Sequence, residues 1–117
     1  MTHYSYAERV LGTVLGKTLT RRRKELGKTQ EQVANEADIN REHYQQMEYG
    51  RSDRKRNSPL NPRLSTLIKL SKVLDIPVSV LLNDAIKAYH LTEAHMNANA
   101  SNERATPTPP QHQPLPR

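Results

Sequence analysis

The stretch Thr29-Gln-Glu-Gln-Val-Ala-Asn-Glu-Ala-Asp-Ile-Asn-Arg-Glu-His-Tyr-Gln-Gln-Met-Glu-Tyr-Gly50 decides how this chain is read. Thr29 and Gln32 stand at capping-box spacing, in which a hydroxyl and an amide each satisfy a backbone donor at a helix start. A short helix follows, burying Val33, Ala34 and Ala37. Asp38-Ile39-Asn40 then reads as a tight turn, because Asn40 is a natural cap for a second helix. That helix runs from about Arg41 to Tyr49 and stops at Gly50.

Two short helices joined by such a turn make a helix-turn-helix. At about 100° per residue, Asn40, Tyr44 and Met47 share the side facing the other helices. Glu42, Gln45, Gln46 and Tyr49 share the opposite side, with Arg41 at its edge. These side chains suit base edges: Arg for guanine, Gln for adenine, Glu for the cytosine amino group. By itself such a polar face is more often just solvated.

Upstream, Ser5 and Glu8 form another capping box and open a helix. Leu11, Leu15, Leu19 and Leu26 share one face, while Lys17, Arg21 and Lys24 lie opposite. Gly12 and Gly16 weaken this helix and leave two shorter pieces as an alternative; Gly27 ends it. Downstream, residues 51–62 keep no periodicity and are basic and polar. Asn61-Pro62 has the cap-then-proline form of a helix start, and Leu64, Leu67, Ile68, Leu70, Val73 and Leu74 supply its apolar positions. Asp75-Ile76-Pro77 interrupts, and a last helix begins near Val78 and reaches toward Met96. The sequence divides into an N-terminal extension at 1–10 that can be helical, a domain at 11–96 and a tail at 97–117. The tail's Asn, Pro, Gln and Thr cannot bury a core, so disorder is expected there.

Composition narrows the function classes. The 117 residues contain no Cys, Trp or Phe and are 34% hydrophobic, so the core is modest and aliphatic. Without cysteine there is no disulfide framework, thiol nucleophile or Cys-ligated zinc site. No apolar run approaches the roughly 18 residues of a membrane span, and the N-terminus lacks the hydrophobic core of a signal peptide; a cytoplasmic location is expected. Of 18 Lys+Arg, 12 fall between Lys17 and Arg63, against 7 acidic residues, a local excess of +5 within a chain of +6. Such an excess suits a polyanionic partner through phosphate attraction and counterion release, or else a soluble basic surface.

Several ordered segments closely resemble the Cro/cI-type, or XRE, family of phage and bacterial regulators. They are Leu15-Gly-Lys-Thr-Leu-Thr-Arg-Arg-Arg23, Gly27-Lys-Thr-Gln-Glu-Gln-Val-Ala34, Ile39, Met47-Glu-Tyr-Gly50, Asn61-Pro-Arg-Leu-Ser-Thr-Leu-Ile-Lys-Leu-Ser-Lys-Val-Leu74 and Ile76-Pro-Val-Ser-Val-Leu-Leu82. The resemblance implies an all-α, five-helix, lambda-repressor-like domain that binds double-stranded DNA with its third helix in the major groove. It carries a phosphate-contacting role onto Gln30 and base-reading roles onto Asn40, Arg41, Glu42 and Gln46; the wheel adds Gln45. It also pairs Arg23 with Glu48, in accord with the wheel. Arg51, Arg54, Lys55, Arg56 and Arg63 are expected on phosphates. Four features depart from the family pattern: Asp38 at a turn position that is usually Gly, Arg22 where a leucine is usual, Tyr44 where a smaller aliphatic is common, and a longer stretch between Gly50 and Pro62.

A sequence-specific regulator, expected to repress, is therefore the leading reading. A DNA-binding antitoxin and a protein-interaction adaptor that keeps the fold are the alternatives, with a protein partner on the tail or last helix. No enzyme site, cofactor site or metal site assembles; His90, Glu93 and His95 read as a solvated helix surface. Val78, Leu82, Ala85, Tyr89, Thr92 and Met96 follow the seam of a short coiled coil, which predicts a homodimer interface centred on Leu82, Ala85 and Tyr89. The alternative is a fold-back of that stripe onto Tyr6, Val10 and Val14.

Overall fold

Capping chemistry sets the helix boundaries in the computed structural model, which describes residues 4–53 and 55–105. Helix α1 spans Tyr6–Glu25 and α2 spans Gln30–Glu36. Both open on the expected capping boxes: Glu8 N–H donates to Ser5 Oγ at 3.0 Å, and Gln32 N–H to Thr29 Oγ1 at 3.0 Å. Helix α3, Arg41–Glu48, is capped by Asn40, whose Oδ1 accepts from His43 N–H at 3.0 Å. Helices α4 (Leu64–Val73) and α5 (Val78–Ala105) complete the five.

Helix α1 is continuous from Tyr6, as the Ser5 cap predicts, so residues 6–10 belong to it and Gly12 and Gly16 do not divide it into two pieces. The start of α4 departs from the sequence reading. Helix α4 begins at Leu64 with Arg63 as N-cap and without a side-chain cap, not at Asn61-Pro62. The chain stays extended there because Leu60 is buried with its N–H on Gly50 O at 2.7 Å, and Asn61 N–H is held by Ser52 Oγ at 2.8 Å. The last helix continues past Met96 to Ala105, while the Pro-rich residues 106–117 lie outside the described residues.

Four helix ends share one closure, with the residue after the C-cap in the left-handed region. After α2, Asp38 N–H bonds Asn35 O at 3.2 Å and Ile39 N–H bonds Ala34 O at 2.8 Å, the Schellman pattern. The left-handed residues are Gly27, Asp38, Gly50 and Asp75, and Asp38 has φ 56°. A side chain there costs roughly 1–2 kcal/mol, offset in part by the extra freedom glycine brings to the unfolded chain. Asp38→Gly is therefore expected to gain up to about 1 kcal/mol; a urea unfolding midpoint below that of the parent would contradict this.

The core is aliphatic with one aromatic, Leu15, Leu19, Val33, Tyr44, Met47, Leu70, Leu74 and Leu81 all being buried. Arg22 does not send its charge to open water. Its Nε donates to Leu74 O at 2.8 Å and its Nη2 to Asp75 O at 2.9 Å, closing the carbonyl end of α4. This places the start of α5 beside the end of α1. The two helices run antiparallel, so that Glu93 and, across the pair, Glu8 raise the Tyr89 phenol. Among the proposed seam residues, Ala85 is fully buried within the chain and Leu82 packs partly against the core. With α5 packed along α1, Ala85 is enclosed within the chain and not available to a second one, whereas Tyr6, one of the residues of the fold-back alternative, stays exposed.

Residues 51–62, read as an irregular loop, contain a small antiparallel hairpin, β1 (Arg51–Asp53) and β2 (Ser58–Pro59). Leu60 N–H on Gly50 O closes its base, and Arg9 Nη1 donates to Asn57 O at 2.9 Å near its turn. The hairpin thus leans on the first half of α1 at the end of α3.

Candidate nucleic-acid interface

Helix α3 divides its side chains as its periodicity requires. Tyr44 and Met47 are fully buried, so the helix is fixed in rotation about its axis. Arg41, Glu42, His43 and Tyr49 are exposed, with Gln45 and Gln46 half-buried beside them. Asn40, Arg41, Glu42 and Gln45 line one open concavity of about 350 Å³ on the outer face. Four of the five expected base-reading residues therefore stand together. Gln46 sits apart at the inner edge, and its Oε1 is buried with no hydrogen-bond partner among the described residues. Asn40 divides its duties, since its Oδ1 is committed to the helix cap.

The expected pair of Arg23 and Glu48 is present and mostly buried, with side-chain exposures of 12% and 5%. Arg23 Nε meets Glu48 Oε2 at 2.6 Å and Nη2 meets Oε1 at 3.0 Å, the two-point geometry that favours arginine over lysine. Burial pushes the Glu48 carboxyl upward, but hydrogen bonds from Arg23 and Gln30 and the Arg23 charge outweigh it and hold the carboxyl below its ordinary value. The same contacts raise Arg23. Tyr44 packs beside them; burial first, then the Glu48 carboxylate, keeps its phenol protonated far above the usual tyrosine range.

Gln30 begins α2 and is tied inward. Its Nε2 donates to Glu48 Oε1 at 2.8 Å, while its Oε1 accepts from Gln45 Nε2 at 3.3 Å. Of the other expected phosphate-contacting residues, Arg51, Lys55 and Arg56 are exposed on the hairpin, and Arg63, also exposed, precedes α4. Arg54 lies outside the described residues. The sequence reading missed a second concavity of about 440 Å³ next to Asn40, which His43, Arg63, Thr66 and Lys69 help to line. Lys69 and His43 belong to different helices, and only the tertiary fold brings them together. Among the described residues no group of His, Cys, Asp or Glu is arranged to hold a metal ion.

Comparison with known proteins gives two matches. Residues 19–54 match the family model described as Helix-turn-helix. The crystal structure of the clp gene regulator ClgR from Corynebacterium glutamicum aligns with a TM-score of 0.57 and 20% identity, covering 84% of this chain and 96% of that chain. At that identity the likeness is one of fold. No curated protein matches the sequence. Among the described residues, no helix is long and apolar enough to cross a membrane.

Proposed function

We propose, from the match of residues 19–54 to the Helix-turn-helix family model and from the segments that resemble the Cro/cI, or XRE, type, that this protein is a sequence-specific regulator that represses by occupying its operator in the cytoplasm. The observation that carries this reading is the division of α3: Tyr44 and Met47 are buried while Arg41, Glu42 and Gln45 open onto a shared outer concavity. A buried aromatic and thioether lock the helix's rotation, so the outer residues meet a groove in fixed order. Arg51, Lys55, Arg56 and Arg63 supply phosphate contacts that set register, and the outer face supplies sequence. Gln30, held by Glu48 and Gln45, keeps one amide N–H for a phosphate.

The test is substitution of the outer face. Arg41→Ala and Glu42→Ala should each cost about 1–3 kcal/mol of discrimination at one base pair per half-site. Melting behaviour should not change, since both side chains are exposed. Unaltered selectivity in both variants would refute the assignment.

A homodimer on a two-fold operator completes the proposal. Its support is the edge of α5 that α1 leaves partly open, where Leu82 and Tyr89 flank the exposed Ile86. Two reading helices would then stand one DNA turn, about 34 Å, apart. Sedimentation should give a dimer for the intact protein and a monomer for Leu82→Asp with Tyr89→Asp. A monomeric intact protein at micromolar concentration that still binds its operator would contradict this interface.

A further inference from the structure

The polar contacts behind α3 form one directional chain. An ionised carboxylate only accepts hydrogen bonds. Glu48, with both oxygens on Arg23, therefore admits only the nitrogen end of the Gln30 amide, and Gln30 Nε2 sits 2.8 Å from Oε1. The oxygen end of Gln30 must then point away, where it accepts from Gln45 Nε2 at 3.3 Å. Gln45 in turn has its nitrogen drawn to Gln30, which turns its carbonyl oxygen away from Gln30, and the side chain lines the concavity with Asn40, Arg41 and Glu42. Flipping Gln45 would set its oxygen against the Gln30 oxygen; flipping both would set the Gln30 oxygen against the carboxylate. Each alternative places acceptor against acceptor.

We propose that the Arg23–Glu48 pair, acting through Gln30, fixes the polarity of Gln45 so that its carbonyl oxygen faces the major groove and selects a base amino group. The contacted base is then adenine through N6 or cytosine through N4, the major-groove donors, and not guanine, which presents only acceptors there. Gln45 is a specificity-determining residue, and Gln30 and Glu48 are positioning residues behind it. The inference rests on the proposal that α3 reads duplex DNA.

The experiment uses the full chain and its selected operator, with single functional groups removed from the bases. The base pair at which Gln45→Ala abolishes discrimination is the Gln45 pair. There the wild-type protein should lose roughly threefold to tenfold in affinity when the adenine N6 or cytosine N4 amino group is deleted, the range of one neutral hydrogen bond. In Gln30→Leu, which leaves the Arg23–Glu48 pair in place, that loss should shrink to within about twofold as Gln45 becomes free to turn. Dependence of the Gln45 pair on guanine O6 or N7 would overturn the relay, as would an undiminished amino-group dependence in Gln30→Leu. So would a Gln45→Ala protein with wild-type discrimination at every position. Those outcomes leave duplex binding standing, whereas a wild-type protein that selects no DNA sequence overturns the DNA reading and the relay together.

Discussion

Gly16→Ala is expected to lower the stability of the domain by about 1–3 kcal/mol, although alanine is the better helix former. A Cβ at Gly16 would lie 2.6 Å from Glu48 O, 2.8 Å from Met47 O and 2.9 Å from Gly50 N. All three are backbone atoms at the end of α3, so no side chain can rotate away; α1 and α3 must separate instead. A loss of about 2 kcal/mol corresponds to a fall of roughly 8–16 °C in melting temperature for a domain of this size. Gly27→Ala is the informative contrast, since a Cβ there meets nothing within 4 Å and only its left-handed backbone, φ 69°, opposes it. Its cost should be about 1–2 kcal/mol, with no displacement of α3. A Gly16→Ala protein that melts at or above the parent temperature would show that the two helices are not in contact as described.

Breaking the Arg23–Glu48 pair is expected to cost still more. Removing one partner of a buried, two-point ion pair strands the other charge, typically at about 3–5 kcal/mol, against a total of about 5–15 kcal/mol for an ordinary domain. Arg23→Met and Glu48→Gln should each approach that range, and the double variant should recover part of it. A coupling energy near zero in the double-mutant cycle would mean two independent surface charges. The pair also sets an acid limit. The Glu48 carboxyl is held lower in the folded protein than in the unfolded chain, so its stabilisation is fully present above the unfolded value of about 4.3 and is lost as pH falls through the lower folded value. Stability measured from pH 6 down to about 3 should fall in the parent, and this contribution to the fall should be absent in Glu48→Gln. Equal slopes in the two proteins would contradict it.

Much of the helical frame was legible because its signals are local. Ser5–Glu8 and Thr29–Gln32 each occupy a single turn, and Asn40 caps over three residues. Periodicity likewise separated Tyr44 and Met47 from Arg41, Glu42 and Tyr49. Where the sequence fell short, the deciding contact was distant in the chain. Gly12 and Gly16 look like weak points in a helix, yet they are where the backbones of Leu60, Gly50 and Glu48 press against it. Arg22 replaces a usual leucine and spends its guanidinium on the carbonyls of Leu74 and Asp75. The hairpin at 51–59 is too short for alternation to announce it. A coiled-coil seam and a fold-back stripe share one spacing, so only the packing of α5 on α1 accounts for Ala85.

The candidate site shows the same division. The outer face of α3 follows from one helix and needs no tertiary information. The Arg23–Glu48 pair came from family resemblance with the wheel in agreement, because the wheel alone cannot say that two faces meet. The Gln30–Gln45 link joins residues on different helices through amide groups, and nothing in their spacing predicts it. Gln46 shares the polar face in projection, but its carbonyl is buried at the inner edge.

The measurement that bears most directly on the central claim is selection of binding sites by the purified full-length protein from random duplex DNA. Enrichment of a short two-fold sequence whose half-sites lie about 10 base pairs apart centre to centre is expected. That enrichment should weaken when the outer-face residues Arg41 and Glu42 are replaced by alanine. A pool that remains random after repeated rounds, or one whose enriched sequence is unchanged by those replacements, would contradict the account.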